Sequence, residues 1–218
     1  MITEERIFDT RADLAAALAA DVAAVLRKAL SEQGEALLAV SGGKTPALFL
    51  DKLAQTDLAW EKVRVTLVDE RQVPETSERS NARLVRQHLM HGKAARAGFV
   101  PLFENPAAAR LPALDVAVLG MGTDGHTASF FPGGDRLAEA IDPNSGIRLI
   151  EITAPGAGEP RLTFTLPVLE EAGCLMLHIE GAEKRAVLQR ALGHGPASEM
   201  PVRAVLRSVR PLTLYWCP

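Results

Sequence analysis

The sequence predicts an α/β fold built on a mostly parallel sheet with helices on both faces. Three observations predict it. Short apolar, β-branched runs alternate with segments whose alanines and leucines recur at helical spacing. The polar and glycine residues gather just after the apolar runs. The composition, 47% hydrophobic and 23% charged over 218 residues, gives one globular unit enough apolar material for a sizeable core. The chain is therefore read as a single domain, 1–218, with no repeat, low-complexity tract or long linker.

The elements follow in order. Residues 11–30 carry the helical spacing. ALLAV (36–40) is a buried strand ending at Ser41-Gly42-Gly43. A helix is expected from Thr45, with Thr45 as its cap and Pro46 in its first position. VRVTLV (63–68) is β-branched and ends at Asp69, and a helix follows over 79–90 with Ser80 or Asn81 near its start. DVAVLG (115–120) is another buried strand. IRLIEIT (147–153) alternates and is expected nearer an edge. CLMLHIEG (174–181) is a strand, AEKRAVLQRAL a helix, and 212–216 the last strand. Segments 91–98 and 154–160 read as loops.

Charge and cysteine usage narrow the function. A formal net charge of −3 argues against nucleic acid, while a local cluster of cations still suits a small anion. No apolar run is long enough to span a membrane, and the N-terminus begins acidic without a secretory core. Cys174 and Cys217 form no C-x-x-C pair, so a thiolate zinc site is not expected and a reducing cytoplasm fits.

Four polar clusters stand at strand ends: SGGKT, DER, GMGTDGH and GAEK. Ligands of open α/β sheets bind at those ends, so the clusters converge if their strands are parallel neighbours. Ser41, Gly42, Gly43, Lys44 and Thr45 form a glycine-rich turn before a helix, which offers backbone N–H groups to a phosphate. The bland alternative is a flexible connection. A Walker A loop needs glycine where Leu38 stands, and a nucleophile elbow needs glycine where Ala39 stands, so neither an ATP loop nor a serine nucleophile is supported.

In DERQVP, Asp69 and Arg71 read either as a solvated charged turn or as a site pair. Arg71 would then hold a phosphate or steady a developing oxyanion. Gly120, Gly122 and Gly125 fit G-x-G-x-x-G by spacing, but the loop follows a middle strand. Asp124 would oppose a pyrophosphate, and Glu139 lies in a helical stretch, so a dinucleotide site is disfavoured. His126 is the stronger lead: a histidine side chain can take a proton from water near neutral pH, and Asp124 two residues earlier can fix its tautomer. The bland reading is a structural histidine. Lys184 and Arg161 are candidate anion ligands set against ordinary surface cations. His88 and His91 form an H-x-x-H pair without a following carboxylate and read as surface residues; His178 and His194 carry no role.

Together, SGGKTP, LVDERQVP with SN beyond, LGMGTDGHTASFFPG, RLTFTLPVL and GAEKRAVL resemble the glucosamine-6-phosphate isomerase/6-phosphogluconolactonase family, and its lactonase branch in particular. The match runs from Ser41 to about Leu188; Phe130 departs from a common leucine. The resemblance implies a Rossmann-like fold similar to glucosamine-6-phosphate deaminase and ribose-5-phosphate isomerase. It implies hydrolysis of 6-phosphoglucono-δ-lactone in the pentose phosphate pathway, with no metal and no cofactor. His126 would be the general base and Asp124 its orienter, with Arg71 the third catalytic residue. Ser41–Thr45, Asp69, Arg161 and Lys184 would bind the substrate. The expected partner is a small sugar-phosphate lactone, without nucleic acid or membrane, and the chain a cytoplasmic monomer or weak homo-oligomer. The competing reading is an isomerase or deaminase on the same fold, with Asp69 as its carboxylate base.

Overall fold

The computed structural model describes all residues, 1–218. The elements in chain order are β1 (Ile2–Ile7), α1 (Arg11–Gln33), β2 (Ala36–Val40), α2 (Ala47–Leu53), β3 (Val63–Leu67), β4 (Asp69–Arg71) and α3 (Asn81–His88). Then come β5 (Gly98–Val100), β6 (Val116–Leu119), α4 (Leu137–Ala140), β7 (Leu149–Ile152), β8 (Arg161–Phe164) and α5 (Leu166–Glu171). The chain closes with β9 (Cys174–Glu180), α6 (Ala182–Leu192), α7 (Val202–Leu206) and β10 (Leu212–Cys217).

Seven strands form one sheet in the order β1-β10-β9-β6-β2-β3-β5, and every neighbouring pair is parallel. All five residues of β2 and all four of β6 are buried. A strand without an exposed face is covered by layers on both sides, which is why these runs are apolar without alternation. From β2 the chain moves outward through β3 to β5, then returns to the other side of β2 and moves outward through β6, β9 and β10. The strand order therefore reverses between β2 and β6, and loops leaving those two strands diverge there. That divergence is the crevice of an open α/β sheet.

The longest helix, α1, shows how local sequence sets its ends. The Thr10 hydroxyl accepts from the Asp13 backbone N–H at 3.1 Å, and Gly34 closes the helix in the left-handed region at φ 80. One face of small and branched residues, including Leu14, Leu18, Val22 and Leu26, is fully buried. It joins a hydrophobic cluster of 61 residues.

Three features differ from the sequence expectations. Thr45 does not cap α2: Pro46 occupies the cap position, and the helix begins at Ala47. Residues 79 and 80 precede α3, with the Ser80 hydroxyl accepting from the Arg83 N–H at 3.2 Å. The segment 91–98 contains a 3₁₀ turn, Gly92–Arg96, and ends in β5. A second sheet, β4-β8-β7, is antiparallel and adds a layer beside the cleft. Its outer strand β7 alternates in burial, as its edge position requires.

Candidate active site

The four polar clusters follow β2, β3, β6 and β9, which are consecutive neighbours in the sheet. They meet in a cleft of about 260 Å³. The loops from β2 and β6 are stitched together at its floor. Ser41 Oγ donates to the Val118 carbonyl at 3.0 Å and accepts from the Gly120 N–H at 3.1 Å. Ser41 is therefore a buried brace of the crevice rather than an exposed nucleophile.

Beyond Ser41 the chain turns through Gly43 at φ 89, a conformation that favours glycine. The backbone N–H groups of Gly42, Gly43 and Lys44 make no hydrogen bond within the chain. They are free donors for an anion. Gly42 is required for another reason: a Cβ there would overlap the Asn81 side chain. The Thr45 hydroxyl accepts from Lys184 Nζ at 3.2 Å, joining the β2 loop to the start of α6. Burial pushes the half-buried Lys184 ammonium down from its usual value, against the opposing pull of Glu180 and Glu183.

The DER segment is an ordered strand, not a solvated turn. Glu70 is buried and accepts from the N–H groups of Arg71, Asn81 and Ala82 at 2.7–2.8 Å and from the Ser80 hydroxyl at 3.0 Å. Burial pushes its carboxyl up while these four donors pull it back. Glu70 thus ties β4 to the first turn of α3, which sets Asn81 in place. Asn81 donates to the Asp69 carbonyl at 2.8 Å and accepts from Arg71 Nη1 at 2.9 Å. Arg71 also donates to the Arg79 carbonyl at 2.7 Å, and its buried Nε has no partner.

Asp69 is buried, accepts from Ser129 Oγ at 2.6 Å, and lies 3.8 Å from Arg161 Nη1. Arg161 sits opposite Arg71 in the β4–β8 ladder, packs over the Phe131 ring at 5.2 Å, and donates to the Ala157 carbonyl. Burial lowers the Arg161 guanidinium from its usual value; Asp69 opposes that shift and Arg71 adds to it.

The β6 loop presents the histidine. Gly122 N–H donates to the His126 carbonyl at 2.9 Å, and Gly125, at φ 82, closes the turn. His126 Nδ1 lies 2.6 Å from Asp124 Oδ1, which also accepts the His126 backbone N–H at 3.1 Å. The ring stacks on Phe131 with centroids 4.2 Å apart. Burial alone would raise the Asp124 carboxyl. The hydrogen bond and charge of His126, with the backbone donors, outweigh it and hold the group below its usual value. Asp124 is therefore ionised at neutral pH and accepts the hydrogen bond from Nδ1–H, which leaves Nε2 as the basic nitrogen.

The cleft is lined by Lys44, Arg71, Arg161 and Lys184, with Asp69 as its one lining carboxylate. A chain of net charge −3 thus concentrates positive charge in one place. His88 and His91 lie elsewhere, both within 3.5 Å of Asp51 Oδ1, and His194 lends only its carbonyl, to Arg203. Two polar lining residues, Asn81 and His178, receive no site role from the sequence. Asn81 stands there only as a helix-start residue and in the SN of the family pattern, and His178 as a buried strand residue. Each reaches the cleft through the packing of a separate element.

The fold and the cleft define an α/β protein with a cation-lined cleft beside an aspartate–histidine dyad. The chain belongs to the glucosamine-6-phosphate isomerase/6-phosphogluconolactonase family, whose model matches residues 9–216. It is 51% identical to a 6-phosphogluconolactonase of Rhizobium meliloti strain 1021 across the full length of both chains. It is 45% identical to one of Pseudomonas aeruginosa, over 98% of this chain and 94% of that one. The fold is similar to the crystal structure of a 6-phosphogluconolactonase from Shewanella baltica OS155, with a TM-score of 0.95 and 33% identity over 99% and 98% of the two chains.

Proposed function

We propose that this chain hydrolyses 6-phospho-D-glucono-1,5-lactone to 6-phospho-D-gluconate, as its lactonase relatives do by name, in the pentose phosphate pathway. One observation carries the mechanism: an Asp124–His126 pair at 2.6 Å stands at a cleft lined by four cations. His126 Nε2 takes a proton from water as the water oxygen attacks the lactone carbonyl carbon. The carbonyl oxygen becomes an oxyanion, which Arg71 steadies. Collapse breaks the bond to the ring oxygen, which leaves with the proton held by His126. Asp124 holds the imidazole in the required tautomer and stabilises its cation. The free N–H groups of 42–44, Lys44, Lys184 and Arg161 hold the phosphate and the sugar chain.

The geometry gives less support to a carboxylate-base isomerase or deaminase. Asp69 Oδ2 accepts from Ser129 and faces Arg161, and the carboxylate–imidazole pair poised at the cleft is Asp124–His126 instead. We further propose a single working domain, 1–218, in the cytoplasm, as a monomer or weak homo-oligomer. Its cysteines, Cys174 and Cys217, are both free thiols, which supports a reducing compartment.

The test is ring opening of lactone generated in situ, measured above its spontaneous rate. Wild type should show a large excess, and His126→Asn should lose about 10²–10⁴-fold in kcat with KM nearly unchanged. An excess rate that survives in the variant overturns the mechanism. No excess in wild type overturns the function.

A further inference from the structure

His178 is the one imidazole in the cleft that the mechanism leaves idle. It lies near the end of β9, 2% exposed, edge-on to Phe49. Its Nε2 is 3.1 Å from Glu180 Oε1, two residues on along the same face of the strand. Its Nδ1 is buried and has no hydrogen-bond partner. Buried polar atoms are paired in the great majority of cases, so an orphan that lines a ligand cleft calls for a ligand.

The tautomer says which kind. Glu180 also accepts from Arg11 Nε at 2.6 Å. Burial pushes its carboxyl up, but the hydrogen bonds from His178 and Arg11 and the Arg11 charge hold it below its usual range. An ionised Glu180 only accepts, so the neutral imidazole carries its one proton on Nε2 and leaves Nδ1 a bare acceptor. Around it the cleft offers mostly donors: Lys44, Lys184, Arg71, Arg161 and the N–H groups of 42–44. Asp69 Oδ2 is taken by Ser129, which leaves its Oδ1, and the Asn81 oxygen is taken by Arg71. A phosphate is served by donors. A polyhydroxylated chain also needs acceptors, and His178 Nδ1 is a spare one.

We propose that His178 binds a hydroxyl of the sugar chain, Nδ1 accepting its O–H, with Glu180 and Arg11 fixing the imidazole tautomer from behind. This rests on the lactonase reading above. It assigns His178 to recognition of the hydroxylated carbon chain rather than to the phosphate or the reacting carbonyl.

Two variants test it in the full chain. His178→Leu keeps the volume and removes the acceptor. His178→Asn places an amide oxygen near the Nδ1 position and can restore it. The readouts are KM and kcat for the lactone, and calorimetric affinities for 6-phosphogluconate and for inorganic phosphate, with thermal melting alongside. The expected result for His178→Leu is a rise in KM and a loss of 6-phosphogluconate affinity of about 3- to 10-fold, the worth of one neutral hydrogen bond. Phosphate affinity should stay unchanged and kcat nearly so, and His178→Asn should recover most of the loss. If both affinities fall together, or neither falls, the proposal is wrong. If His178→Leu melts too low to assay, His178→Asn alone decides: a 6-phosphogluconate affinity within about twofold of wild type sustains the acceptor role, and loss of the same affinity as for phosphate overturns it. A wild-type protein that turns over no lactone would instead sink the lactonase reading on which the proposal stands.

Discussion

Arg71 and Arg161 stand directly opposite each other in the antiparallel β4–β8 ladder, both lining the same cleft. Like charges in that position repel, and Asp69, 3.8 Å from Arg161, together with Glu159 offsets that repulsion only in part. A bound anion relieves the repulsion, so ligand binding and stability are coupled here. At a 6-phosphogluconate concentration 100 times its Kd, wild type should gain about 2.7 kcal/mol. For a chain of this size that is a rise of about 5–10 °C in Tm. Arg161→Gln, binding about tenfold more weakly, should show roughly half the shift at the same concentration. Equal shifts in the two proteins would place the anion away from this arginine pair.

Gly122 guards the dyad. A Cβ on that residue would overlap His126 Nδ1 and come within 2.6 Å of Asp124 Oδ1. Gly122→Ala should therefore lower kcat by about 10²-fold, approaching the loss expected of His126→Asn, with a much smaller effect on Tm. Retained kcat would show that the pair can re-form around the methyl group. The pH dependence has a definite sign. Asp124 has a folded pKa below its unfolded value, near 3.9. It stabilises the fold above that value, and the contribution is lost as pH falls through the folded pKa. Asp124→Asn should depress kcat across the whole pH range, because the imidazole loses the acceptor that fixes its tautomer.

The sequence made the central sheet legible for a physical reason. Strands buried on both faces need apolar runs: β2 and β6 are wholly apolar, and β3 and β9 are interrupted only by Arg64, Thr66, His178 and Glu180. The polar residues after those runs had one place to go, and the cleft holds them. What escaped notice lies at edges and in short ladders. β1 reads ITEERI, with four of its six residues exposed, so it shows neither a core run nor clean alternation. β4 has three residues, all charged, and looks like a turn until its pairing with β8 is known. His178 carries no local mark because its acceptor becomes a cleft atom only when β9 packs beside α2.

Lys184 should set the alkaline limit of ligand binding. Desolvation lowers its pKa, so its charge is lost below the value near 10.4 at which an ordinary lysine titrates. Affinity for 6-phosphogluconate should fall as pH rises toward that value, and Lys184→Ala should abolish the fall while weakening binding at neutral pH. Lactone kinetics are unsuited to this range because the lactone opens spontaneously, so product binding is the measurement. An identical alkaline profile in wild type and variant would assign the titration to another group.

Arg71 and Asn81 form a lever that separates chemistry from binding. If Arg71 steadies the oxyanion, Arg71→Ala should reduce kcat by about 10²–10³-fold, since the charge acts where negative charge develops in the transition state. A pure rise in KM would assign Arg71 to the phosphate instead. Asn81→Ala leaves the guanidinium present but removes the oxygen that receives Nη1 at 2.9 Å, and it frees the buried Asp69 carbonyl of its donor. The fold should lose about 1–3 kcal/mol from those unpaired groups. With Arg71 still tethered only through the Arg79 carbonyl, kcat should fall in the same direction as in Arg71→Ala but by less. In the double variant the Asn81 substitution should then add nothing further to the loss in kcat, because its catalytic effect runs through Arg71. Full additivity in kcat would show that Asn81 acts on the reaction by a separate route.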